Sequence, residues 1–427
     1  MSYCINLALD AQEPHPALHP VAYHQQNRDL VHVIDQRLYC GAAAAQMILD
    51  SIGSGLLDQD DLYTINNSNS HVESGWHSGP DGVAYTLETL KPHSFPETFQ
   101  YTPSISEEAI SRKICWSIHH YGVAPIALVF GNEHWVVVTG FCASKAPLSS
   151  KDITYTIYSF WIHNPSPLTP YVKPPPPHHT GADGCGIGLD RGTPHELVAY
   201  SPLSLVSTSK YWQVDYMTPI QGGTWHNKYI VVGDSDPAAN LPPSMAPIET
   251  GLVTNHNTII GRAVRGLDEY GLTGRDPWRT ALATASPGEP ILVEREDVNP
   301  RRYYYIVPFV GDNQQVPFLV HVGAEPSGAF AGSIAAPSGA STHLVQAFPR
   351  NRVIDDFADR EVQVGERRVT PRADQLLGHL VWRPCAESLS PYWPFYRFDA
   401  DAAGRQVPVY VRIDGEQFPE LHTGKGM

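Results

Sequence analysis

Residues Tyr39-Cys40-Gly41 lead directly into Ala42-Ala43-Ala44-Ala45-Gln46-Met47-Ile48-Leu49-Asp50, which sets a cysteine at the first turn of a strongly favoured helix. An alanine run followed by three large apolar residues has high helix propensity and almost no polar face. It predicts a helix over residues 41–52, with Gly53 as its stop. The first turn of a helix offers unpaired backbone N–H groups and the positive end of the macrodipole, which draw a thiol toward the thiolate. A thiol so placed is a nucleophile in want of a base and of a group to orient that base.

Both requirements can be met downstream. Gly131-Asn132-Glu133-His134-Trp135-Val136-Val137-Val138-Thr139-Gly140-Phe141 puts His134 at the head of a β-branched run that reads as a buried strand. A second strand is predicted over residues 153–162, ending at His163-Asn164-Pro165, so Asn164 falls in a turn-forming Asn-Pro pair. In an antiparallel hairpin a strand-start histidine and a strand-end asparagine lie side by side. The amide oxygen then fixes the imidazole tautomer while the other ring nitrogen faces the thiol. Taken singly, each residue has a plainer reading. Buried cysteines pack, histidines beside valines sit in cores, and Asn-Pro marks a turn. Their conjunction in this order favours a cysteine-hydrolase site.

On these residues the chain resembles the papain-like cysteine peptidases of the bacterial C39-like type. The resemblance rests on Gln36…Cys40-Gly41, on His134-Trp135-Val-Val-Val-Thr-Gly and on Asn164-Pro165, and spans about half the chain, roughly residues 28–235. It implies an α+β, two-lobed, papain-like domain with Cys40 as nucleophile, His134 as general base and then acid, and Asn164 as orienter. Gln36 would be the side-chain oxyanion donor, beside the N–H of Cys40. Gln36 stands four residues before Cys40, where the family more often has five or six. The interval from His134 to Asn164 is also long and implies an extended hairpin over residues 143–151. The implied activity is hydrolysis of peptide bonds in a peptide or protein substrate through a thioester, with no cofactor. The same residue set would serve an acyltransferase, transglutaminase or isopeptidase. A catalytically inactive peptide-binding module is the reading from outside the enzymes.

Composition narrows the partners. A formal charge of −15 over 427 residues, without a Lys/Arg run longer than a pair, disfavours nucleic acid, whose binding needs basic surface to release counterions. No apolar run approaches bilayer-spanning length and no secretory leader pattern opens the sequence, so the expectation is a cytoplasmic protein without membrane insertion. The six cysteines, Cys4, Cys40, Cys115, Cys142, Cys185 and Cys385, show no CxxC pair or metal-ligand spacing. They do not read as a disulfide framework, and Cys115 and Cys142 are expected to pack.

Three segments are expected: a polar N-terminal arm over residues 1–27, the peptidase-like domain over 28–238, and a β-rich accessory domain over 250–427. Within the second, helices are predicted over residues 82–90 and from a capping box at Ser104 and Glu107 to Tyr121-Gly122, with Ile110, Ile114 and Ile118 on one face. A closing strand is expected over residues 228–234. The Pro-rich stretch 173–179 and the glycine-rich loop after it read as surface loop rather than gating loop. His178, His179, Asp183 and Cys185 match no standard metal site. After a linker at 236–244, a helix is predicted over 258–270 and strands over 291–294, 303–309, 318–322 and 409–413. The aromatic clusters at 303–309 and 391–396 read as packing in preference to a peptide-holding surface.

Overall fold

The computed structural model describes residues 3–7, 39–167, 192–200, 217, 219–243, 251–298, 302–336, 349–388, 390–402 and 404–426. The chain divides into two compact units. The first comprises Met1–Pro167, Tyr171–Pro247 and Gly424–Met427, and the second Leu168–Pro170 and Ile248–Thr423. Both helices and a large mixed set of strands are present, so the chain is α+β.

In the first unit, β1 (Tyr3–Asn6) precedes three helices, α1 (Cys40–Ser51), α2 (Gln59–Ser68) and α3 (Pro80–Leu90). The Asp58 side chain caps α2 by accepting the Asp60 N–H, and Pro80 opens α3, where its missing N–H costs nothing. Then come β2 (Gln100–Ser104), α4 (Glu107–Trp116), β3 (Ile126–Val129), β4 (His134–Ala143), β5 (Ile157–Pro167), β6 (Gly192–Ala199) and β7 (Tyr229–Gly233). The strands pair antiparallel in the order β6-β5-β4-β3-β7-β2. The valine run of β4 is buried along its whole length, because β4 is central in this sheet and α1 packs against it. Such a strand reads as a continuous apolar stretch rather than an alternating one.

Helix α1 is buried from Cys40 through Leu49. Its alanines let the neighbours come close, and Gly41 takes this to the limit: a Cβ there would stand 2.5 Å from Cβ of Ser78 and 3.1 Å from the Trp135 ring. On α4, Lys113 is fully buried, and its Nζ donates to Oδ1 of Asp234 at 2.8 Å and to the Asp234 carbonyl at 3.1 Å. Asp234 also accepts the Ser117 hydroxyl, and this cluster ties α4 to the residue just after β7.

The second unit begins with α5 (His256–Glu269) and α6 (Trp278–Leu282) and continues through β8 (Ser286–Pro287), β9 (Ile291–Arg295), β10 (Arg302–Val310), β11 (Phe318–Gly323), β12 (Phe330–Ala335) and α7 (Arg350–Phe357). It closes with β13 (Val362–Val364), β14 (Arg367–Val369), β15 (Leu380–Trp382), β16 (Phe395–Ala402), β17 (Arg405–Arg412) and β18 (Gln417–Phe418). Its main strands lie in the order β18-β17-β16-β15-β9-β10-β11-β12, with β15 parallel to β9. The aromatic clusters pack inside it: Tyr304 is buried against His321 and donates its hydroxyl to the Pro391 carbonyl at 2.6 Å.

Several expectations need correction. Residues 3–6 are not part of a polar arm but a strand paired with residues 140–143 of β4, and Cys4 and Cys142 form a disulfide there. Cys142 is therefore a bridging residue, not a packing one; Cys115 is buried and unbridged. Strand β5 starts at Ile157 and runs through Asn164 and Pro165 to Pro167, so Asn164 is interior to the strand, next to an irregularity in its register. The Asn-Pro signal marked that irregularity and not a strand end. Ser106 caps α4 by accepting the Ala109 N–H, because Ser104 still belongs to β2. The first unit also reaches beyond residue 238 and takes back residues 424–427 from the segment assigned to the accessory domain. The 173–179 stretch, with His178, His179, Asp183 and Cys185, lies outside the described residues.

Removing one partner of a buried ion pair strands the other charge without solvent. Asp234→Ala should lower unfolding stability by about 3 kcal/mol, read as a reduced denaturant midpoint at unchanged slope. The disulfide closes a span of 138 residues. Chain-entropy arguments put the stabilisation from such a loop at up to about 5 kcal/mol, so Cys4→Ser should lower the melting temperature clearly, and a reducing agent should lower it in the parent but not in the variant.

Candidate active site

Cys40 is the first residue of α1, following Tyr39 at the N-cap. Tyr39 is itself fixed, donating its hydroxyl to Asp60 at 2.6 Å, which holds the start of α1 against α2. Sγ of Cys40 accepts the backbone N–H of Trp135 at 3.4 Å. The pairing of β5 with β4 begins only at Val137, so this end of β4 can turn the Trp135 N–H toward the sulfur. The Trp135 indole donates to the Ser78 carbonyl at 2.9 Å, and Ser78 packs on Gly41. Helix start, Ser78 and the head of β4 thus form one close-packed knot.

His134 precedes Trp135. Extending the register Val137↔His163 by one step puts Asn164 opposite Val136, which makes His134 and Asn164 diagonal neighbours on one face of the sheet. Their side chains meet: Nε2 of His134 lies 2.9 Å from Oδ1 of Asn164. With the amide oxygen as acceptor, Nε2 carries the proton and Nδ1 presents its lone pair. Nδ1 is buried and makes no hydrogen bond among the described residues. The other flank of the ring is covered by Phe130, stacked at 6.3 Å, which holds a left-handed backbone (φ 55°) in the turn before β4.

Cys40, His134 and Asn164 come from three elements to one region of the first unit, and all three are 0% exposed. No hydrogen bond joins the thiol to the imidazole among the described residues. Gln36 lies outside the described residues. Sequence reasoning missed Ser78 and Trp135 as builders of the site. Ser78 carries no local signal, because its role arises from the close approach at Gly41.

The electrostatics differ from the expectation for a thiol at a helix start. The N–H groups of Trp135, Gly41 and Cys40 itself do favour the thiolate, but full burial pushes the thiol well above its ordinary value. Burial likewise holds the His134 imidazole down to about 4, with the Asn164 bond acting weakly the other way. The arrangement is a neutral thiol beside a neutral imidazole, not an ion pair. Desolvation wins because both groups are wholly buried.

Among the described residues, no group of histidines, cysteines or carboxylates could hold a metal ion, and no helix is long and apolar enough to cross a membrane. Comparison with protein-family models, curated proteins and solved structures finds no match.

A histidine held near 4 when folded and near 6.5 when unfolded binds its proton more readily in the unfolded chain. Its contribution to stability is therefore complete above about pH 6.5 and is lost as the pH falls toward 4, by about 3 kcal/mol in all. Denaturant unfolding measured between pH 7 and 4 should show this loss in the parent, and a shallower one in His134→Gln.

Proposed function

We propose that the first unit is a papain-like cysteine peptidase domain in which Cys40 attacks peptide carbonyls and His134 moves the protons. The observation that carries this reading is the His134–Asn164 bond, together with an Nδ1 that makes no hydrogen bond among the described residues, one residue along the chain from the N–H that binds the Cys40 sulfur. An asparagine spent on fixing one nitrogen of a buried histidine, beside a cysteine at a helix start, serves proton transfer better than it serves packing.

In this mechanism Nδ1 of His134 takes the Cys40 proton while sulfur bonds to the substrate carbonyl carbon. The oxyanion is met by the N–H of Cys40 at the positive end of α1, with Gln36 proposed as a second donor. The imidazolium then protonates the departing amine nitrogen as the C–N bond breaks, leaving a thioester on Cys40. Water attacks the thioester, Nδ1 accepts its proton, and the carboxylate product leaves with the thiol restored. Asn164 is a positioning residue throughout, since it keeps the Nε2 proton in place and the ring turned. The substrate is a peptide or protein. A cytoplasmic setting sits poorly with the Cys4–Cys142 disulfide, which favours oxidising surroundings.

A thiol-directed epoxide should label Cys40 selectively, as read by peptide mapping, and even labelling of Cys40, Cys115 and Cys385 would count against an activated nucleophile. On a peptide library, Cys40→Ala should abolish cleavage and His134→Gln should lower kcat by about 10³-fold. Asn164→Ala should lower kcat less and move the acid limb of the rate profile to lower pH, because the amide oxygen favours the protonated ring. A Cys40→Ala protein that cleaved like its parent would leave the inactive binding module as the better reading.

A further inference from the structure

Residues 424–426 return to the first unit and lie in a slot with two walls, residues 76–78 and residues 132–133, with Lys425 bridged in parallel to Trp76. Four backbone groups of this stretch are bound to the two walls. The Gly424 N–H donates to the Glu133 carboxylate at 3.2 Å, and the Lys425 carbonyl accepts the His77 N–H at 2.9 Å. The Gly426 N–H donates to the Asn132 carbonyl at 2.5 Å, and the Gly426 carbonyl accepts the Ser78 N–H at 3.1 Å. These two walls are the segments that build the candidate site: Ser78 packs on Gly41 beside Cys40, and Asn132 and Glu133 lead directly into His134.

The slot reads side chains as well as backbone. Lys425 pairs with Glu73 and lies 6.0 Å over the Trp76 ring, while the second Glu73 oxygen is fixed by the Thr224 N–H at 3.0 Å. At Gly426 no side chain fits, since a Cβ would stand 2.2 Å from the Ser78 carbonyl oxygen and the backbone has a φ of 63°. Main-chain pairing that accepts any extended peptide, combined with one carboxylate for lysine and one position closed to everything but glycine, is how an edge-pairing groove acquires specificity.

We propose that this slot is the peptide-binding groove of the Cys40 site, selective for a Lys-Gly sequence, and that residues 424–426 of the same chain occupy it as a tethered substrate-like plug that keeps the site closed. The proposal rests on the reading of Cys40 as nucleophile and deepens it by naming the peptide class and the means of regulation. A tethered segment competes at an effective concentration of the order of millimolar, so modest contacts suffice to exclude a free peptide. The full burial of Cys40 and His134 is what a plugged groove requires, and withdrawal of the plug would hydrate both groups and relieve the desolvation that keeps them neutral.

The test opens the slot by changing only its occupant: Lys425→Glu, which sets a second carboxylate against Glu73, Gly426→Val, and a chain ending at Thr423. In a Cys40→Ala background, a fluorescent peptide containing Thr-Gly-Lys-Gly should bind each opened form at least tenfold tighter than the form with the native segment, as read by anisotropy. A Thr-Gly-Glu-Gly peptide should lose that gain. With Cys40 present, alkylation of its thiol by iodoacetamide should be at least tenfold faster in the opened forms. Equal peptide binding and equal alkylation in parent and opened forms, all folded by circular dichroism, would overturn the plug. Tighter binding by the opened forms without any Cys40-dependent cleavage would uphold the plug and sink the peptidase reading, while cleavage equally fast in parent and opened forms would do the reverse.

Discussion

The contact between the first turn of α1 and the first two residues of β4 is the constraint from which the site is built. It brings a sulfur and an imidazole from positions 94 residues apart to one place, and it does so through backbone: the Trp135 N–H goes to Cys40, and the Trp135 indole reaches Ser78. Only a glycine at position 41 lets Ser78 come in far enough. Each link is short-range and geometric, and none requires a charge. The pairing of β5 with β4 then fixes which asparagine meets His134.

What can be read from the chain divides along the same line. The alanine run of α1, the valine run of β4 and the β-branched run of β7 announce themselves, because burial on all sides demands uniformly apolar residues. Cys40 and His134 each stand at the head of such a run, and Asn164 follows the apolar first half of β5. Strand β1 is not legible: Tyr3-Cys4-Ile5-Asn6 is four residues long, and what makes it a strand is β4 and a bridge to Cys142, both distant in sequence. Helix α2 escapes for another reason. Its face is polar, with Asn66 and Gln59 buried through hydrogen bonds to Ser78 and Gln46, so no apolar period marks it. The end of β5 is misread because proline usually stops a strand, whereas here it coincides with an irregularity in the pairing.

Burial and activation oppose one another at Cys40. A helix start lowers a thiol's proton affinity only while some solvent or charge stabilises the anion, and close packing removes both. The fold therefore fixes the Cys40 sulfur against the Trp135 N–H and the His134 ring against Asn164, while burial keeps both titratable groups neutral.

Strand β4 has one edge covered twice, by β3 along residues 134–137 and by β1 along 140–143, while β5 covers the other edge. The Cys4–Cys142 bridge fastens β1 to β4 covalently. In thiol-rich surroundings β1 would be held by its four-residue ladder, the Leu7 N–H to the Thr139 carbonyl and the contacts of Tyr3 with His119 and Phe141, and its departure would bare the N–H and C=O groups of an apolar strand. Such an edge invites pairing with a second molecule, so the redox state of the surroundings bears on whether this protein stays dispersed as well as on how firmly it is folded.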